Sequence, residues 1–159
     1  MSISANTAEH TSLLSPIERL LIEHECQRQV IRYCTTADHH DTDGFLGIFT
    51  SDAVWNQPDG SVYHGHEQIR GYFVGRPKTP VRSHICSNVL IEVLDANNAR
   101  GSSNATVLRA QRPGDADSAE QLVPVAVLEY EDAFTRQADG SWKISRRSAR
   151  LIFSADAKK

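Results

Sequence analysis

Three side chains of the kinds that move protons stand out by their positions. Tyr33 and Asp38 lie five residues apart at the end of an apolar, helix-like stretch, and His39, His40, Asp41 and Asp43 follow. A carboxylate at a helix C-terminus meets the negative end of the helix dipole, so Asp38 does nothing for the helix that carries it. Asp41 and Asp43 are accounted for more simply, as a solvated loop and the cap of the next helix, with Asp43 the cap. His84 lies in the run Val81–Leu94. The odd positions of that run are mostly β-branched and read as a packing face. The even positions, from Arg82, His84, Cys86 and Asn88 to Leu90, Glu92 and Leu94, change from polar to apolar. Such a mixture suits a pocket wall, and the plain alternative is a wet outer surface. Imidazole, carboxylate and phenol are groups of general acid–base chemistry.

Other chemistries have weaker signals. His64 and His66 would put two imidazoles on one face of a strand as a metal pair, with His39, His40 and Asp41 as further ligands. Gly65 separates their directions, however, and no third ligand is evident, so no metal is expected. There is no G-x-S-x-G, G-x-G-x-x-G or phosphate-binding loop. Cys86 could face a pocket beside His84, although a buried cysteine is usually inert packing. Arg146, Arg147 and Arg150 read as a solvated or subunit-contact set. Trp55, Phe49 and Phe73 are candidate pocket walls, with core packing as the competing role for each, and Tyr33 could itself be a core aromatic.

The elements that must position these groups follow from pattern. The chain has 159 residues, one domain's length, and is 40% hydrophobic and 23% charged. A net charge of -3 gives no basic footprint for nucleic acid. Three cysteines, Cys26, Cys34 and Cys86, with no C-x-x-C pair, read as reduced thiols in a cytoplasmic protein. No stretch approaches the ~20 apolar residues of a membrane span. Residues 1–14 read as a flexible arm, 15–153 as the domain and 154–159 as a tail. Ser15, Pro16 and Glu18 mark a capped helix start, and Ile17, Leu20, Leu21, His24 and Ile31 follow helical spacing to about Ala37. A short second helix is predicted over Phe45–Phe49, and a third around Ile69 and Phe73, closed by Gly75. Short strands at Ala53–Trp55 and Ser61–Tyr63 flank the Pro58-Asp59-Gly60 turn. Four longer strand-like runs follow: Val81–Leu94, Ala99–Gln111, Gln121–Thr135 and Trp142–Phe153. Turn signals separate them at Asp95–Asn98, at Pro113-Gly114-Asp115, and at Asp139-Gly140, the last read as a type I′ hairpin. Helices first and antiparallel strands later point to an α+β fold. Strands so long must bend, and a strongly curved sheet against helices can leave a pocket between them.

The order of these pieces resembles a family. Tyr33…Asp38, Phe49-Thr50-Ser51-Asp52-Ala53-Val54, Gly65…Ile69, Arg82-Ser83-His84…Asn88 and Asp139-Gly140-Ser141-Trp142-Lys143-Ile144 are similar to the SnoaL-like branch of the NTF2-like superfamily. Its members include scytalone dehydratase, bile-acid 7α-dehydratase and the small subunits of ring-hydroxylating dioxygenases. The resemblance spans about residues 15–153. It implies a cone-shaped, curved antiparallel sheet with three N-terminal helices enclosing a deep apolar pocket, usually in a homodimer or homotrimer. Its dehydratases use a Tyr and an Asp five residues later near the end of the first helix, which Tyr33 and Asp38 match. They use a His early in the first long strand, which His84 matches. Where scytalone dehydratase has a second pocket histidine on the next strand, this sequence places Arg109.

What the resemblance implies is a lyase needing no cofactor. In a pocket closed to water, burial would raise the pKa of Asp38. The acid would orient His84, and His84 would take a proton α to a carbonyl and return it to a leaving hydroxyl. Tyr33 would hydrogen-bond the carbonyl oxygen. Trp55, Phe49, Phe73, Asn88 and Arg109 would contact a small hydrophobic, aromatic or polycyclic carbonyl compound. Dehydration leads, with isomerisation and retro-aldol cleavage beside it. The alternatives are a non-catalytic small subunit of a dioxygenase, with the apolar Leu122–Leu128 strand as its interface, or a protein that binds a ligand without converting it.

Overall fold

A computed structural model describes residues 14–77, 82–111 and 121–155. Most of the expected N-terminal arm, Val81, the Pro113-Gly114-Asp115 turn and most of the expected tail lie outside the described residues. Helix α1 (Pro16–Asp38) begins with a reciprocal cap: the Glu18 N–H donates to Ser15 Oγ at 3.2 Å, and the Ser15 N–H donates to the Glu18 carboxylate at 2.7 Å. Its buried face is Ile22, Cys26, Gln29, Val30, Tyr33, Cys34, Thr36 and Ala37. Ile17, Leu20, Leu21 and Ile31 keep helical spacing but lie on the other side and are exposed. Helix α2 (Thr42–Gly47) is capped by Asp41, not Asp43: Asp41 Oδ1 accepts the Gly44 N–H at 2.9 Å. Phe49 opens strand β1 (Phe49–Asn56) instead of ending α2. Strand β2 (Val62–His64) and helix α3 (Gly65–Gly75) come next, then β3 (Arg82–Val93), β4 (Asn98–Gln111), β5 (Gln121–Arg136) and β6 (Trp142–Ser154).

The strands form one open sheet of six, in the order β2-β1-β6-β5-β4-β3. All neighbours are antiparallel except β1 and β6, which run parallel. Register shifts in β3, in the β4–β5 and β5–β6 pairs and in β1 supply the bends that such long strands need. The hairpin at Asp139-Gly140 is not type I′. Only Gly140 has a positive φ (85°), and the Gly140 N–H donates to the Gln137 carbonyl at 2.9 Å. A type I turn closed by one left-handed glycine gives that pattern.

The bulge in β3 decides what the sheet presents to α1. Ser87 pairs with Asn104 and Leu90 with Ser102, so Asn88 and Val89 together oppose Ser103. Asn88 takes φ 52°, a left-handed conformation that asparagine tolerates better than most side chains. The extra residue reverses the alternation. Before it, Ile85 and Ser87 are exposed while His84 and Cys86 are half-buried; after it, Ile91 and Val93 are buried. The odd positions are therefore not one packing face from end to end, as strict alternation implied.

Candidate active site

Helix α1 lies along β3 in the opposite direction. Near its start, Arg19 Nη1 donates to the Val93 carbonyl at 3.2 Å. Nineteen residues on, at a rise of about 1.5 Å each, the helix has advanced about 28 Å. Nine strand residues back from Val93, at about 3.3 Å each, the chain has retreated about 30 Å, to His84. The two lengths agree, and Asp38 meets His84.

The contact is two-pronged. The His84 backbone N–H donates to Asp38 Oδ2 at 2.8 Å, and His84 Nδ1 lies 2.5 Å from Asp38 Oδ1. An ionised carboxylate only accepts, so Nδ1 carries a hydrogen, and in the neutral imidazole it is then Nε2 that holds the lone pair. The two side chains are 10% and 18% exposed, which shelters the pair from screening by water. Burial by itself would raise the Asp38 pKa. The side-chain and backbone hydrogen bonds from His84 and the nearby imidazole charges outweigh it, and the net shift is downward. The rise expected from burial is thus corrected: a carboxylate that receives two N–H bonds stays charged.

His84 forms part of the wall of a cavity of about 540 Å³, with Tyr33, Ala37, Trp55, Tyr72, Leu128 and Tyr130 among its neighbours. Tyr33 is 6% exposed, with the Phe45 ring 5.0 Å and the Tyr130 ring 5.6 Å away, centroid to centroid. Burial pushes its phenol up to about 12, against the pull of Arg147, so the hydroxyl keeps its proton near neutrality. Tyr130, a residue that sequence reasoning missed, is hydrogen-bonded to the Tyr33 side chain and is likewise raised by burial. No local pattern marks it, because the inward face of a long strand carries many large residues.

Arg147 is a correction. It is not on a solvated face but fully buried, with Nε 2.7 Å and Nη2 2.6 Å from the Asp132 carboxylate. Its guanidinium carbon stands 4.0 Å from the Tyr33 ring centroid and 4.4 Å from that of Tyr130. Burial disfavours the charge, Asp132 more than restores it, and the cation is held between two aromatic faces. Arg146 and Arg150 are exposed, as read from the sequence, and Arg150 pairs with Glu129.

The remaining candidates separate. Trp55 lines the cavity and is 2% exposed. Phe49 and Phe73, at 0% and 2%, pack in the core behind it and are not wall residues. Asn88 is exposed at the bulge, because the reversal turns it away from the cavity. Arg109 is half-buried opposite Arg82 in the β3–β4 register, outside the cavity lining. Cys86 faces Cys34 of α1, whose thiol hydrogen-bonds to it and lowers its pKa to about 7. His66 Nε2 is 3.0 Å from the Phe49 carbonyl, a partner within the protein. Among the described residues, no three His, Cys, Asp or Glu side chains cluster as metal ligands, and no helix is long and apolar enough to cross a membrane.

Comparison with known proteins gives the fold a context. A family model described as a SnoaL-like domain matches residues 18–148. No curated protein matches the chain in sequence. Rv3472, a protein of unknown function from Mycobacterium tuberculosis solved as a single-residue variant, is 28% identical over 89% of this chain and 78% of its own, with a TM-score of 0.73. A candidate scytalone dehydratase from Novosphingobium aromaticivorans is 18% identical over 91% and 93%, TM-score 0.74. The type-3 hexachlorocyclohexane dehydrochlorinase LinA from Novosphingobium barchaimii is 20% identical over 89% and 93%, TM-score 0.73. At those identities the last two show a shared fold.

Proposed function

The chain belongs to the SnoaL-like domain family, and on that footing we propose that it is a lyase that eliminates water from a small hydrophobic carbonyl compound. The observation that carries this reading is the clasp of Asp38 on His84, which leaves Nε2 as a base in the wall of a ligand-sized cavity. In the proposed reaction, Nε2 takes the proton α to the carbonyl, and the C–H electrons pass into an enolate. The Tyr33 hydroxyl, held by the Arg147 guanidinium packed on its ring, donates to the enolate oxygen. The enolate then expels the β-hydroxyl, which takes the proton back from Nε2 and leaves as water. Asp38 stays ionised throughout and balances the imidazolium. Solved members of the same fold that are named for a dehydratase and a dehydrochlorinase, both eliminations, support the choice of reaction type.

The test is His84→Ala, assayed with a β-hydroxy tetralone whose loss of water yields a naphthol that is read by absorbance. His84 is a partly exposed wall residue, so the variant is expected to fold and to lose turnover by at least about 10²-fold. A folded His84→Ala protein with undiminished turnover refutes the mechanism.

A further inference from the structure

One end of the His84 cavity is built from hydrogen-bond donors and cations. Arg82 sits two residues before His84 on the same face of β3, so their Cα atoms are about 6.5–7 Å apart along the strand. Arg76, just after α3, lies on the same wall, its guanidinium carbon 5.2 Å from the Phe73 ring centroid. Tyr72 ties this end to Trp55, edge-on with centroids 5.1 Å apart. The Tyr72 phenol is raised by burial and pulled back by the charges of both Arg76 and Arg82, which line the same cavity. Trp55 and Gln57 also line the cavity, and the atoms Trp55 Nε1 and Gln57 Nε2 are enclosed without a partner among the described residues.

The nearby acids are occupied. Asp38 is taken up by His84. Asp59, the carboxylate felt by Tyr72, is exposed and accepts the Ser61 N–H at 2.9 Å. Among the described residues, no carboxylate forms an ion pair with Arg76 or Arg82, and no carboxylate lines the cavity. Arg109, opposite Arg82, already has an interaction of its own. Two half-buried arginines with no ion pair among the described residues, in a lining without a carboxylate, leave a wall that an acceptor-rich, negatively charged group satisfies.

We propose that the substrate carries a carboxylate, held by Arg76 and Arg82 at the end of the cavity, while its hydrophobic body reaches inward to His84. Taking this cavity as the substrate site rests on the lyase reading. The carboxylate preference is nevertheless measurable as binding, without turnover.

The experiment is calorimetric titration of the full chain with benzoate, 2-naphthoate and anthracene-2-carboxylate, each beside its methyl ester. For the ring system that fits, the acid is expected to bind about tenfold or more tightly than its ester, as for a charge-assisted pairing. The double variant Arg76→Gln/Arg82→Gln is expected to lose that preference while keeping the affinity for the ester, which doubles as its folding control. His84→Asn is expected to keep the preference whatever the chain turns over, so failure of the lyase reading and failure of this proposal are told apart. The proposal is overturned if no acid of the series binds more tightly than its own ester. It is also overturned if the preference survives in the double variant.

Discussion

Asp38→Asn removes one acceptor oxygen and the negative charge that balances the imidazolium while keeping the side chain's shape, and its effect can be worked out from the contacts of that carboxylate. Asp38 accepts two N–H groups from His84, one from the backbone at 2.8 Å and one from the ring at 2.5 Å. An asparagine has one oxygen and one NH₂. The backbone N–H of His84 cannot stop donating, so the amide oxygen must face it. The NH₂ then faces Nδ1 and forces that atom to accept. The ring hydrogen moves to Nε2, the atom that the proposed reaction needs as a base. The substitution therefore keeps the shape and inverts the tautomer. A positioned general base contributes about 10²–10⁴-fold, or about 3–5 kcal/mol of barrier. Because both side chains are mostly shielded from solvent, the loss is expected toward the upper part of that range. Turnover of the β-hydroxy tetralone measures the rate, and ¹⁵N chemical shifts of the His84 imidazole report the tautomer without any substrate. Asp38→Asn turning over within threefold of the parent, or retaining its hydrogen on Nδ1, refutes the reasoning.

The buried groups give two further expected outcomes. Asp132→Ala strands the Arg147 guanidinium, which has no exposure, and should cost about 3–5 kcal/mol in urea denaturation; the double variant Asp132→Leu/Arg147→Met should recover part of it, and a single-variant cost below about 1 kcal/mol counts against the pairing. With the Cys34 hydrogen bond as the leading cause, the Cys86 thiol is lowered to about 7, so the reactive thiolate gains as pH rises through neutrality. Alkylation by iodoacetamide should therefore quicken about tenfold between pH 6 and pH 8 and fall on Cys86 before Cys26, whose thiol burial pushes up to about 12; a pH-independent rate, or Cys26 reacting first, contradicts this.

Much of this arrangement was legible in the chain. Ser15 and Glu18 announce the start of α1, and Asp38 stood out because a carboxylate there does nothing for its helix. The pairing with His84 needed the lengths of α1 and β3 together, which residue types alone do not state. Arg147 was misread for a physical reason: three arginines within five residues look like a wet surface, and only the partner strand shows that Asp132 lies directly opposite Arg147. Asn88 was misplaced because strict alternation assumes a regular strand, and the bulge comes from backbone geometry. The Asp41 cap was missed because two aspartates compete for that job, and the difference between them lies in which one reaches the Gly44 N–H.

That single surplus residue at Asn88–Val89 makes β3 behave as two strands with opposite loyalties. Its first half gives an imidazole to the cavity, and its second half gives Ile91 and Val93 to core packing. Trim one residue there and the two halves can no longer both be served. Either the histidine swings to the outside or the isoleucine and valine do, so length at this point is held more tightly than residue identity. Swapping Asn88 for glycine should be forgiven; deleting it should not.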